Sequence, residues 1–90
     1  MSKKLIDFAK KFTTSSINAN TFSETYILMW KEERDTGKLT IDGKDVDEAS
    51  STIFCLADIY NPAPDRDDYE LDEGSLKKEV IATLEKFNLI

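Results

Sequence analysis

Asp45-Val46-Asp47-Glu48-Ala49-Ser50-Ser51-Thr52-Ile53-Phe54-Cys55-Leu56-Ala57-Asp58-Ile59-Tyr60-Asn61-Pro62 is the stretch that decides the fold. Val46, Ala49, Ile53, Leu56, Ala57 and Tyr60 recur three or four residues apart or fall side by side. That spacing stacks side chains on one face of an α-helix. The start is expected near Asp45, with Glu48 three residues on as a cap-like pair. Asn61-Pro62 ends the pattern, because proline disfavours helical backbone in the residue before it.

Working outward, three more segments carry the same kind of stripe. Upstream, Thr21-Phe22-Ser23-Glu24 reads as a capping box, followed by Phe22, Tyr26, Met29 and Trp30 as a buried face. Glu32, Glu33, Arg34 and Asp35 form a solvated end, and Gly37 is a stop. Further back, Leu5, Phe8, Ala9 and Phe12 predict a helix over Ser2–Thr13, with Lys3, Lys4, Lys10 and Lys11 on its wet side. Thr13-Thr14-Ser15-Ser16 breaks it, since hydroxyl side chains compete for backbone hydrogen bonds. Ile17 is expected to reach the core from the connection. Lys38–Lys44 has too few apolar positions for a strand, so it reads as an ordered loop in which Leu39 and Ile41 cover one end of the core. Downstream of Pro62, a last helix begins around Glu73–Ser75. Leu76, Val80, Leu84 and Phe87 form its stripe, with Ile81 beside it. Four amphipathic helices with short to medium connections imply an all-α, antiparallel four-helix bundle, spanning 1–90 as one domain.

Composition narrows the function classes. The 90 residues contain no histidine, which removes the commonest general base and metal ligand together. The one cysteine, Cys55, admits no internal disulfide. It has no basic neighbour to hold a thiolate, so a buried, inert thiol is expected. There is no Gly-rich phosphate loop, no Ser-His or Cys-His arrangement and no room for a deep cleft, so the chain reads as not an enzyme. A calcium frame from Asp68 would place Glu70, Asp72 and Glu79 as further ligands. It puts Glu73 where such a loop needs glycine, so neither metal nor cofactor is expected. No apolar run reaches the roughly 18–20 residues of a membrane span. Asp7, Lys10 and Lys11 interrupt any leader-like core at the N-terminus. A cytoplasmic location is the resulting expectation.

Charge is the strongest functional signal. Residues 42–73 hold eleven acids and two bases, so this third carries more than the whole net charge of −6. Asp65, Asp67, Asp68, Glu70, Asp72 and Glu73 crowd into nine residues with only Arg66 to offset them. Such a field repels nucleic acid and anionic membrane and draws in basic protein surfaces. Tyr69 lies inside the cluster as a candidate aromatic contact. Tyr69 and Leu71 are also candidate anchors of the loop, and Arg66 reads as an internal ion pair that shapes it. From charge alone, an acidic adaptor or regulatory module that binds a basic protein and a merely solvated loop both stay open.

A family resemblance adds to this. Asp65-Arg66, Tyr69-Glu70 and Asp72, leading into Leu76-Lys77, Glu79-Val80 and Leu84-Glu85-Lys86-Phe87, resemble the colicin D immunity protein family. Phe22-Ser23-Glu24, and Ile6-Asp7, Ala9-Lys10 and Phe12 in the first helix, are similar too. The resemblance implies a cytoplasmic antidote with a four-helix bundle fold. Its partner would be the basic ribonuclease (tRNase) domain of a bacteriocin or contact-dependent inhibition toxin, covered by an acidic surface that mimics tRNA. It places Asp58, Asp65, Glu70 and Asp72 at acidic positions. Asp67, Asp68 and Glu73 rest on charge density alone. The sequence departs from the family at Asn61 and Ala63, where the resemblance would place acids.

Overall fold

The computed structural model describes residues 2–14, 17–37 and 43–90. Four helices account for most of them: α1 (Ser2–Thr14), α2 (Ala19–Asp35), α3 (Lys44–Asp58) and α4 (Glu73–Lys86). They form an all-α, antiparallel four-helix bundle. Every helix touches every other, with the slightest contact between α2 and α4. The expected Leu39 and Ile41 cover lies outside the described residues.

All four stripes meet in one core. Leu5, Ile6, Ala9 and Phe12 come from α1; Ala19, Phe22 and Tyr26 from α2; Ala49 and Ile53 from α3; Leu76, Val80 and Leu84 from α4. Ile17 and Phe87 pack against its edge. Phe22 is the hub. Its ring stacks on Phe12 at 4.2 Å and on Phe8 at 5.5 Å, and meets Tyr26 at 5.4 Å. Met29 and Trp30, expected in the buried stripe, are only half-buried. Trp30 instead stacks on Phe54 of α3 at 4.0 Å, with the Arg34 guanidinium 5.5 Å from its ring centre.

The helix ends differ from expectation where two capping solutions compete. At α1, the Thr13 and Thr14 hydroxyls both turn back on the Lys10 carbonyl, which closes the helix as the threonine run suggests. The cap of α2 is Asn18, not the box at Thr21 and Glu24: its side-chain oxygen accepts from the Thr21 N–H at 2.7 Å. The carboxamide reaches the first free amides one turn earlier, so Ala19 already lies in the helix and is buried. Removing it by Asn18→Ala should cost about 1 kcal/mol in urea unfolding. An unchanged midpoint would mean that Thr21 takes over as cap.

At α3 the cap is Gly43 rather than Asp45. Its φ of 98° suits glycine alone, and no side chain caps the helix. Asp45 and Asp47 sit in the first turn, where negative charge complements the helix dipole, and Glu48 pairs with Lys44 at 3.8 Å. The α3 helix stops at Asp58, short of the proline, because Ile59 and Tyr60 turn away into a contact with Leu71. Cys55 is exposed, which corrects the expectation of a buried thiol. It lies two residues from both Ile53 and Ala57, about 200° around the helix from each. The last helix ends in a Schellman turn: Leu89 N–H donates to Leu84 and Asn88 N–H to Glu85, with Asn88 at φ 57°.

Tyr26 ties α2 to α3. Its hydroxyl, buried in the core, donates to the Ser50 carbonyl at 2.7 Å. Burial pushes the phenol far above its ordinary value of 10.0; Ser50 opposes this and the Glu33 charge adds to it. The pH dependence follows from that direction. The unfolded chain loses this proton above pH 10 and the native one holds it, so stability is complete below pH 10 and falls as pH rises beyond it. The expected slope approaches about 1.4 kcal/mol per pH unit for this one group. Tyr26→Phe should flatten it in denaturant titrations between pH 9 and 11.5; an equally steep curve would rule Tyr26 out as the source.

Candidate partner-binding face

The acidic segment is a closed loop, not an extended tail. Leu71 N–H donates to the Ile59 carbonyl and Asn61 N–H to the Leu71 carbonyl, both at 2.9 Å, so Tyr60 and Leu71 form a short parallel bridge at its base. Leu71 packs on the core as expected. Tyr69 does not: it is 66% exposed and anchors nothing. Tyr60 is the other anchor, half-buried against the core, with its hydroxyl donating to Asn20 near the start of α2. Burial raises the Tyr60 phenol above its ordinary range, Glu73 adds to this and Arg66 opposes it.

Inside the loop, Asn61 and Glu70 are the hubs. Asn61 follows α3 and uses its side-chain oxygen to accept from Ala63 N–H at 2.9 Å, a turn that Asn-Pro sequences favour. Its amide nitrogen donates to Glu70 Oε1 at 3.2 Å. The same Oε1 accepts from Asp67 N–H at 2.8 Å, and Glu70 N–H donates back to the Asp67 carbonyl at 3.0 Å. The Asp67 N–H first, then the Asn61 amide, hold the Glu70 carboxyl below its ordinary range against partial desolvation, and Arg66 adds to them. Arg66 shapes the loop by a different contact from the carboxylate pair expected. Its Nε donates to the Asn61 carbonyl at 3.0 Å.

Asp72 has a second structural duty. It is the N-cap of α4, accepting from Ser75 N–H at 2.8 Å. That bond, and the Ser75 side chain after it, lower its pKa, with desolvation opposing and Arg66 assisting.

The eight candidate residues therefore divide. Asp58 is exposed at the last position of α3, and the bridge brings the loop base up beside it. Asp65, Asp67 and Asp68 are exposed, and among the described residues their carboxylates take no hydrogen bond or ion pair. Tyr69 and Glu73 are exposed as well. Glu70 and Asp72 belong to the same loop, but the Glu70 carboxylate is engaged within it and the Asp72 carboxylate caps α4. Asn61, which sequence reading treated only as a helix stop, is part of the site's framework. The Asn-Pro pair was the signal available for it.

Elsewhere the surface offers little chemistry. A half-open groove between α1 and α2 is lined by Lys4, Asp7, Phe8, Lys11 and Met29 and contains no loop residue. Among the described residues no three carboxylate or thiol side chains converge as a metal-ligand set. No helix described is long and apolar enough to cross a membrane.

The family model described as bacterial self-protective colicin-like immunity matches residues 1–87. The chain belongs to that family. No curated protein sequence matches it. Membership of a colicin-like immunity family implies binding of a bacteriocin toxin, so the relevant chemistry is recognition of a protein surface. For this colicin-like immunity protein, the closed loop offers carboxylates that have no partner among the described residues, on a backbone tied by its own hydrogen bonds. A pre-ordered loop loses less conformational entropy on binding than a mobile tail.

Proposed function

We propose that this immunity protein inhibits a ribonuclease toxin, of the class that cuts tRNA, by covering its basic active site with the acidic loop. The observation that carries the reading is the group of exposed carboxylates at Asp65, Asp67 and Asp68, which take no hydrogen bond or ion pair among the described residues. A nuclease holds phosphates with Lys and Arg, and those side chains accept carboxylates in the same way. Asp58 and Glu73 flank the group and extend it, and Tyr69 supplies an apolar contact between charges. Bidentate Arg–carboxylate pairs fix the register, and blockade is steric and electrostatic at once. In this reading the protein performs no catalysis, binds neither nucleic acid nor membrane, and acts in the cytoplasm, where tRNA is exposed to the toxin. Residues 1–90 serve as one immunity-type helical domain.

Co-expression with the colicin D ribonuclease domain tests it. Cell survival with intact tRNA is the expected result. Survival of the cells only with a toxin that is not a nuclease would overturn the ribonuclease target. Capture of a basic protein unrelated to any toxin would favour the adaptor role instead.

A further inference from the structure

Glu70 is one of the acids that charge counting marks for toxin contact, yet the structure gives its carboxylate another task. Oε1 accepts from Asp67 N–H at 2.8 Å and from Asn61 Nδ2 at 3.2 Å. The second bond reaches the residue at the loop's entrance, which is itself tied to Leu71 at the exit. Arg66 completes the frame from the other side through the Asn61 carbonyl. One carboxylate oxygen thus holds the backbone of Asp67, the middle of the unpaired group, against the base of the loop.

We propose that Glu70 is a positioning residue, which sets the backbone on which Asp65, Asp67 and Asp68 are presented and does not itself pair with the toxin. Its consequence for affinity rests on the blockade reading above; its role in ordering the loop does not. The chemistry it needs is a hydrogen-bond acceptor at that point, not a charge. Glutamine keeps a side-chain carbonyl there and alanine does not. A toxin contact would show no such preference and would be lost in both variants, since an Arg or Lys of the partner gains little from a neutral amide.

The experiment compares Glu70→Gln and Glu70→Ala in two measurements. Amide exchange of the free protein, followed residue by residue by NMR, reads the order of the loop. Calorimetric titration with the colicin D ribonuclease domain at several salt concentrations reads the contact. In Glu70→Ala, the Asp67 amide should exchange roughly tenfold faster, the effect of losing one hydrogen bond. Its affinity for the domain should fall. Glu70→Gln should restore both, with the salt dependence of the wild type. Thermal melting should match the wild type in both variants, because the core contains no residue from 61 to 70. Equal loss of affinity in both variants, with a shallower salt dependence, would overturn the proposal and make Glu70 a charge contact. Unchanged Asp67 exchange in Glu70→Ala would overturn it too. If the wild-type protein does not bind this domain, the colicin D target fails, and the exchange data decide the role of Glu70 alone.

Discussion

Replacing Asp65, Asp67 and Asp68 together by lysine should abolish protection against the cognate toxin while leaving the helical circular dichroism and melting temperature near wild type. The change turns three negative charges into three positive ones on one short loop. None of the three carboxylates supports the fold by an ion pair or hydrogen bond among the described residues. Facing a basic active site, each reversed residue becomes a like charge at the point of contact. Close charge pairs at such interfaces are strongly coupled, so affinity should fall by roughly a thousandfold or more. Survival assays and calorimetry measure the two sides of the prediction. Full protection by the triple variant would move the contact surface elsewhere on the bundle.

The largest stability effect is expected at Phe22→Ala. Phe22 has no exposed surface, and three rings lean on it. Truncation there empties the centre of the core, and neighbouring helices can close only part of the space. The cost should be about 3–5 kcal/mol. A chain of this size holds roughly 5–13 kcal/mol in total, so the variant sits at the edge of folding. Its melting temperature should drop by about 15–30 °C. Phe22→Leu, which keeps most of the volume, should lose far less. A drop of only a few degrees for the alanine variant would mean that the aromatic cluster repacks around the gap.

The four helices were legible because burial enforces a period. Leu5, Ala9 and Phe12, or Leu76, Val80 and Leu84, show it without reference to anything distant. Helix starts were less legible because capping is a competition. Asn18 and Thr21 both offer a side-chain oxygen to the first turn, and only the approach of the chain decides which one reaches. Cys55 was misplaced because an apolar residue within a stripe looks buried until its angle around the helix is counted. The acidic loop was legible as charge and opaque as geometry. Nothing in the order Asp67, Asp68, Tyr69, Glu70 says that the last carboxylate turns inward onto the first amide. Arg66 misled for a related reason: surrounded by carboxylates in sequence, it meets a backbone carbonyl in space.

The bridge between Tyr60 and Leu71 has a consequence for how such a protein can change. Both bridge residues belong to the packed edge of the core, and nothing from Asn61 to Glu70 does. If the acidic ring meets the toxin as proposed, the residues that pack the core and those that make the contact are different sets, joined at the two bridge residues. Substitutions within the ring can follow a diverging toxin without eroding the scaffold. Substitutions in the scaffold can drift without altering what the toxin meets, provided the clasp stays closed. A lineage of antidotes built this way can acquire new targets by rewriting one short ring.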